Sequence, residues 1–297
     1  MSEQRAAYDV AHLPLTSPSA TSGLLEVFRR RYLLTLLVRR EIMARYQGTV
    51  LGLIWSYVNP LSQFLIYWFV IGKILNLHKE VEQFAVHIFC GLIVVHFFNE
   101  TMNAGTRSIV KNKSLVQKMA VPREMFPVAS MLVSAFHVGP QLVILTVACA
   151  WLGWIPDPAG MVGFVIALLI AMTLGIAIAL TLSCANVFLR DISNALSIMT
   201  NLVRFGVPMI WSYSMADDRL GTVGAQLILY NPLTIAVLLI QRAFWIGTTE
   251  HPDLSNATEM PDHLLERGLA ALATGLVLLV IGQKVFTRLE GRVPERL

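Results

Sequence analysis

The sequence predicts an all-α polytopic membrane protein: six transmembrane helices, preceded by an amphipathic interfacial helix, with short re-entrant helices between spans five and six. Three observations predict it. The 297 residues are 55% hydrophobic and only 14% charged, and their mean hydropathy of +0.62 is too high for an ordinary soluble chain. Six apolar runs, at 51–74, 84–104, 125–154, 160–188, 192–214 and 264–286, reach the ~20 residues a helix needs to cross a bilayer. Lys and Arg are unevenly placed: with both termini on one side, that side holds eighteen and the other five, and the side that retains the excess is cytosolic.

The elements follow in order. Residues 1–23 lack the apolar core of a signal peptide and carry Pro, Ser and Thr, which reads as a largely disordered cytosolic tail. Residues 24–50 mix arginines with Leu, Val, Phe, Ile and Met at spacings that share a helix face, as a helix lying in the membrane interface does; a solvated basic helix, or one packed on another domain, is the competing reading. Gly48 and Gly52 lead into span one, where small residues permit close backbone approach, and Asn59 and Pro60 interrupt it. Residues 51–290 form the six-span domain, and 291–297 a cytosolic C-terminal tail. Between spans five and six, 215–263 is too long for a turn, yet "GAQLILYNPLTIAVLLIQRAFWIG" is apolar and broken by Asn231 and Pro232. Short helices that dip into the outer leaflet and return fit it; a seventh span would put the basic C-terminus outside. Cys90, Cys149 and Cys184 fall in apolar runs without metal or CxxC spacing, so they read as small buried hydrophobes and no metal site is expected.

An amphipathic basic helix followed by "RYQGTVLGLIWSYVNPL" resembles the start of ABC-2-type permeases, the membrane subunits of exporters of O-antigen, teichoic acid and cell-wall galactan. "NKSLVQKMAVPREMFPVAS" resembles that family's first cytosolic loop, "RDISNALSIM" its Arg-Asp turn into span five, and "YNPLTIAVLLIQRAFW" its re-entrant gate segment, here with Asn231 and Pro232. Together these cover about residues 24–290. The resemblance implies a homodimer in the plasma membrane with two separate ABC ATPase subunits that bind Mg-ATP, and a lipid-linked polysaccharide as substrate. The sequence itself shows no GxxxxGK[ST] phosphate loop, so no ATPase activity or cofactor of its own is expected, and nothing in it calls for nucleic acid.

Candidate site residues follow. Coupling to an ATPase falls on 105–120, where Arg107, Lys111, Lys113 and Lys118 face water or an acidic partner and Ile109, Val110, Leu115 and Val116 insert into a cleft; Arg190 and Asp191 are a second contact. A loop that is merely positive-inside explains the same cations. Saccharides stack on flat aromatic rings, and Tyr57, Phe64 and Trp68 share a face of span one at offsets of seven and four. Phe97, Phe98, Trp211 and Tyr213 are further channel candidates; helix packing or lipid contact is the alternative for every ring. Glu100 and Arg204 are charges at membrane depth, which are rare unless they face a bundle interior or a partner; pairing of the two would hold spans two and five together. Arg39, Arg40 and Arg45 stand where a pyrophosphate headgroup arrives, and arginine grips phosphate through its bidentate fork, although ordinary anionic lipid attracts them equally. Rival functions are an ABC-2 drug or lipid exporter, an ion-coupled secondary transporter or channel, which predicts an inverted repeat not evident here, and an intramembrane enzyme, for which the histidines at 87, 96 and 137 look too scattered.

Overall fold

The computed structural model describes residues 23–74, 81–118, 121–189 and 191–292. The tail predicted over 1–23 therefore lies, except for Gly23, outside the described residues, as do Arg190 and residues 293–297 of the C-terminal tail. All regular structure among the described residues is helical. Helices α1 (Leu24–Arg29) and α2 (Arg31–Tyr46) form an arm; α3 (Trp55–Ile66), preceded by a 3₁₀ turn, continues as π-helix over Tyr67–Ile74. Then come α4 (Phe84–Lys111), α5 (Lys113–Lys118), α6 (Met125–Trp151), α7 (Pro158–Phe188), α8 (Ile192–Gly206), α9 (Tyr213–Leu229), α10 (Pro232–Phe244), α11 (Pro252–Glu259) and α12 (Leu264–Leu289).

Four of these, α4, α6, α7 and α12, are long and apolar enough to cross a bilayer, and α9 with α10 makes a fifth candidate bent by 103°. The first and fifth runs read from sequence do not form such helices by themselves. Run five ends early because Pro208 disfavours helix at the residue before it: Val207 is extended, and the 15 residues of α8 reach only about 22 Å, short of the ~30 Å hydrocarbon core. Run one changes from α- to π-helix at Tyr67.

Helix α7 is the hub, packed along α4, α10 and α12. Close approach there requires glycine. A β-carbon at Gly175 would stand 2.9 Å from Thr101, and one at Gly282 2.6 Å from the Ala177 carbonyl oxygen. Matching partners in register (Gly105 on Ala179, Gly268 on Ile166) run α4, α7 and α12 parallel, so all three start at the end of the bundle opposite α5.

The bent pair owes its corner to capping. Asn231 accepts from the Leu233 amide at 3.0 Å, and Pro232 occupies the first helical position, where its missing N–H costs nothing. Nearly every residue of α10 is buried. Its polar members are tied down: Gln241 Nε2 donates to the Pro208 carbonyl at 2.8 Å and lies 3.1 Å from His87 Nε2. Trp154, stacked on Phe244, donates its indole N–H to the Ala243 carbonyl at 3.1 Å.

Gly48 and Gly52 differ from the close-packing expectation. Nothing lies within 4 Å of a β-carbon at either, but their φ values are +78° and +52°, so they build the elbow between α2 and α3, where a left-handed backbone favours glycine. The arm also differs from a purely interfacial helix. Val27 and Leu34 are buried against α6 and its neighbours, with Leu33, Leu37 and Val38 beside them, while Leu25, Phe28, Tyr32, Leu36 and Met43 stay exposed.

Candidate functional site: a polar cleft beneath the arm

Helices α2, α3, α4 and α6 converge on a cleft lined by Arg45, Tyr46, Asn59, His96, Glu100 and His137, among others. Each wall is supplied by a simple local pattern. On α4, His96 and Glu100 are four residues apart and share a face; on α6, so are His137 and Gln141. Two antiparallel helices thus turn two polar pairs toward each other. Gln141 Nε2 donates to His96 Nδ1 at 3.2 Å, and Tyr46 Oη lies 3.1 Å from His137 Nδ1. Arg45 reaches from the end of α2 to Glu100, Nη1 to Oε1 at 2.8 Å.

The cleft holds about 100 Å³, room for a few waters at ~30 Å³ each. His137 Nε2 and Gln141 Oε1 have no hydrogen-bond partner among the described residues. A second hollow continues it toward α5, lined by Glu41, Arg45, Glu100, Arg107 and Lys111. There Lys111 pairs with Glu41, and Arg40 donates to Asn112 Oδ1 at 3.2 Å. The arm is therefore joined to the α4–α5 corner by polar contacts as well as by its apolar face.

The sequence-derived site residues divide accordingly. Glu100 is in the cleft, but its partner is Arg45: Arg204 is exposed on α8 and makes no ion pair among the described residues. Helix α8 does pack on α4, where Asn103 donates to Thr200 Oγ1 at 3.0 Å, but Arg204, one turn further on, is exposed. Of the three headgroup arginines, Arg40 and Arg45 make contacts within the chain and Arg39 is exposed. Along span one, Tyr57 and Trp68 are exposed, whereas Phe64 packs edge-on against Phe89 with ring centroids 5.1 Å apart. Phe97 walls the cleft; Phe98 is 4% exposed in the core and lines no surface. Trp211 and Tyr213 are half-buried.

Around α5, Arg107, Lys111, Lys113 and Lys118 are exposed and Leu115 is half-buried. Ile109 and Val116, expected to enter a partner's cleft, are buried in this chain's own core, because the α4–α5 corner folds them against α6. Asp191 is exposed at the start of α8. His137, Gln141, Tyr46, Glu41 and Asn112 were missed. The i, i+4 polar pairs inside apolar runs were the available signal; their convergence depends on helix packing.

The profile of the ABC-2 type transporter family matches residues 32–244. The chain belongs to this family. The match takes in nearly all of α2, the cleft and the bent pair, so this ABC-2 protein is a membrane component of a transporter. It is similar over most of its length to the O-antigen export system permease protein RfbA of Klebsiella pneumoniae, 22% identical over 89% of this chain and 95% of that protein. A protein of the same name from Myxococcus xanthus is 25% identical over 88% of this chain and 94% of its own length.

Proposed function

We propose that this ABC-2 permease is the transmembrane subunit of an exporter that carries a lipid-linked polysaccharide of O-antigen, galactan or teichoic-acid type across the plasma membrane, driven by separate ATPase subunits. The observation that carries the reading is the end-to-end similarity to O-antigen export permeases. In this reading the protein works as a homodimer of six-span subunits with both termini cytosolic. The runs 51–74 and 192–214 supply the first and fifth crossings in the assembly, the latter with its extended residues after α8, and the bent α9–α10 pair is re-entrant on the outer side.

The placement of side chains narrows the roles. Lys113 and Lys118, exposed beyond the Glu41–Lys111 pair, meet the ATPase together with Asp191. Arg39 and the exposed side of Arg45 receive the pyrophosphate at the cytosolic mouth of the cleft, where bidentate guanidinium contacts favour phosphate. Tyr57 and Trp68 offer exposed stacking faces to the passing glycan.

The test is co-expression of the chain with a candidate ABC ATPase subunit from the same source, in a strain lacking its own exporter, reading surface glycan and ATP hydrolysis of the purified complex. Surface glycan that disappears on replacing Lys113 and Lys118 by Ala, with the complex no longer hydrolysing ATP in a coupled way, supports the reading. A chain that conducts ions or transports a solute without an ATPase overturns it.

A further inference from the structure

At the end of the bundle opposite α5, a pocket of about 300 Å³ opens between the C-terminal end of α10, the end of α11 and the first turn of α12. It is separate from the cleft beneath the arm, and none of the roles above uses it. Met260 and Leu265 are among its apolar lining residues, and Arg242, Asn256, Asp262 and Glu266 among its polar ones.

Three features of this wall point to a ligand. Arg242 Nε, a donor, and Asn256 Oδ1, an acceptor, are closed off from water and have no hydrogen-bond partner among the described residues; each buried unpaired group costs about 1–3 kcal/mol. His263 on the same wall has φ +57°, an uncommon backbone for a residue other than glycine and a kind of strain that gathers at ligand sites. Two of the charged groups have partners inside the protein: Arg242 Nη2 lies 3.3 Å from Asp157 Oδ2, and Glu266 Oε1 3.2 Å from His263 Nδ1, while the Asp262 carboxylate makes no ion pair among the described residues.

These features select the chemistry. An anion would meet Asp157, Asp262 and Glu266 around the single guanidinium, and an apolar molecule would leave both orphaned atoms unpaired. A neutral polyol meets the requirement, since every hydroxyl both donates and accepts and the C–H face of a sugar ring covers Met260 and Leu265. Binding therefore requires the Arg242 and Asn256 side chains to turn, so that their unpaired atoms, closed off in the empty pocket, face the sugar. We propose that this pocket is a saccharide-binding site at the exit side of the transporter, holding one sugar of the glycan as it emerges. The proposal rests on the exporter reading above.

The experiment uses the intact permease–ATPase complex in lipid nanodiscs and saturation-transfer NMR, with methyl glycosides of galactose, mannose, rhamnose and N-acetylglucosamine as probes, and inorganic phosphate and Ca²⁺ in parallel. We expect one glycoside to bind, its affinity to fall about tenfold in Asn256→Leu, as loss of one hydrogen bond implies, and in Arg242→Lys, and to be unchanged in Ser197→Ala, an exposed position on α8. Asn256 stands on the short α11 and Arg242→Lys keeps the charge, so both complexes assemble. Failure of every glycoside to bind, binding indifferent to Asn256→Leu, or occupation by phosphate or Ca²⁺ instead overturns the proposal. Surface glycan scored in the same strains separates the two readings: export without glycoside binding removes the pocket's role alone, whereas absence of export by the wild-type complex removes the exporter reading and this role with it.

Discussion

At the scale of single residues, the charges inside apolar helices have different roles. Glu100 is held by Arg45, a pair with side chains 29% and 48% exposed. A double-mutant cycle of Arg45→Gln and Glu100→Gln in purified protein, read by thermal unfolding, is expected to show measurable coupling, whereas Glu100→Gln and Arg204→Gln are expected to add independently. Coupling between 100 and 204 would place Arg204 against Glu100 in the assembled protein. Glu100 was legible in the sequence because a carboxylate in an apolar run needs a reason. Its partner was not, because Arg45 sits 55 positions away on the arm, and only the fold of the elbow at Gly48 and Gly52 brings it under α4. Asn231 teaches the complementary lesson. An Asn-Pro pair in an apolar stretch reads as a break or gate, and the structure uses it as a helix start. Asn231→Ser, which also caps, is expected to keep stability, while Asn231→Ala loses about 1 kcal/mol; equal loss of export in both variants with unchanged stability would assign Asn231 to the gate.

At the scale of elements, α7 is the rod on which the others are stacked, and glycines set the distance. Gly282→Ala sets a β-carbon 2.6 Å from the Ala177 carbonyl oxygen, a backbone atom that cannot rotate away. We expect about 1–3 kcal/mol of destabilisation from such overpacking, seen as a lower melting temperature in detergent, while Gly206→Ala, with nothing within 4 Å, changes it little. The long apolar helices α4, α6, α7 and α12 were readable because ~20 apolar residues in a row have few other fates. The ends of the first and fifth runs were harder. Composition continues smoothly through Val207 and Pro208, and the helix stops there for a steric reason that hydropathy does not carry.

At the scale of the whole molecule, orientation is the prediction that distribution of charge makes. The three native cysteines are buried, so a membrane-impermeant maleimide reports an engineered thiol against little background. We expect Asp253→Cys on α11 to label in intact spheroplasts and Ser114→Cys on α5 to label only after lysis; the reverse pattern would turn the protein over. The sequence by itself determined that the chain is helical and lies in a membrane, and its motifs taken in order already pointed to the ABC-2 family. It could do so because the bilayer imposes one-dimensional rules: run length, backbone satisfaction within each helix, and charge between runs. Tertiary structure alone decided that Phe98, Ile109 and Val116 are core, that Arg45 and not Arg204 answers Glu100, and that His96 and His137 share a cleft. Those outcomes depend on which helix faces meet, and a helix face is specified by its neighbours in space, which residue spacing along one chain does not contain.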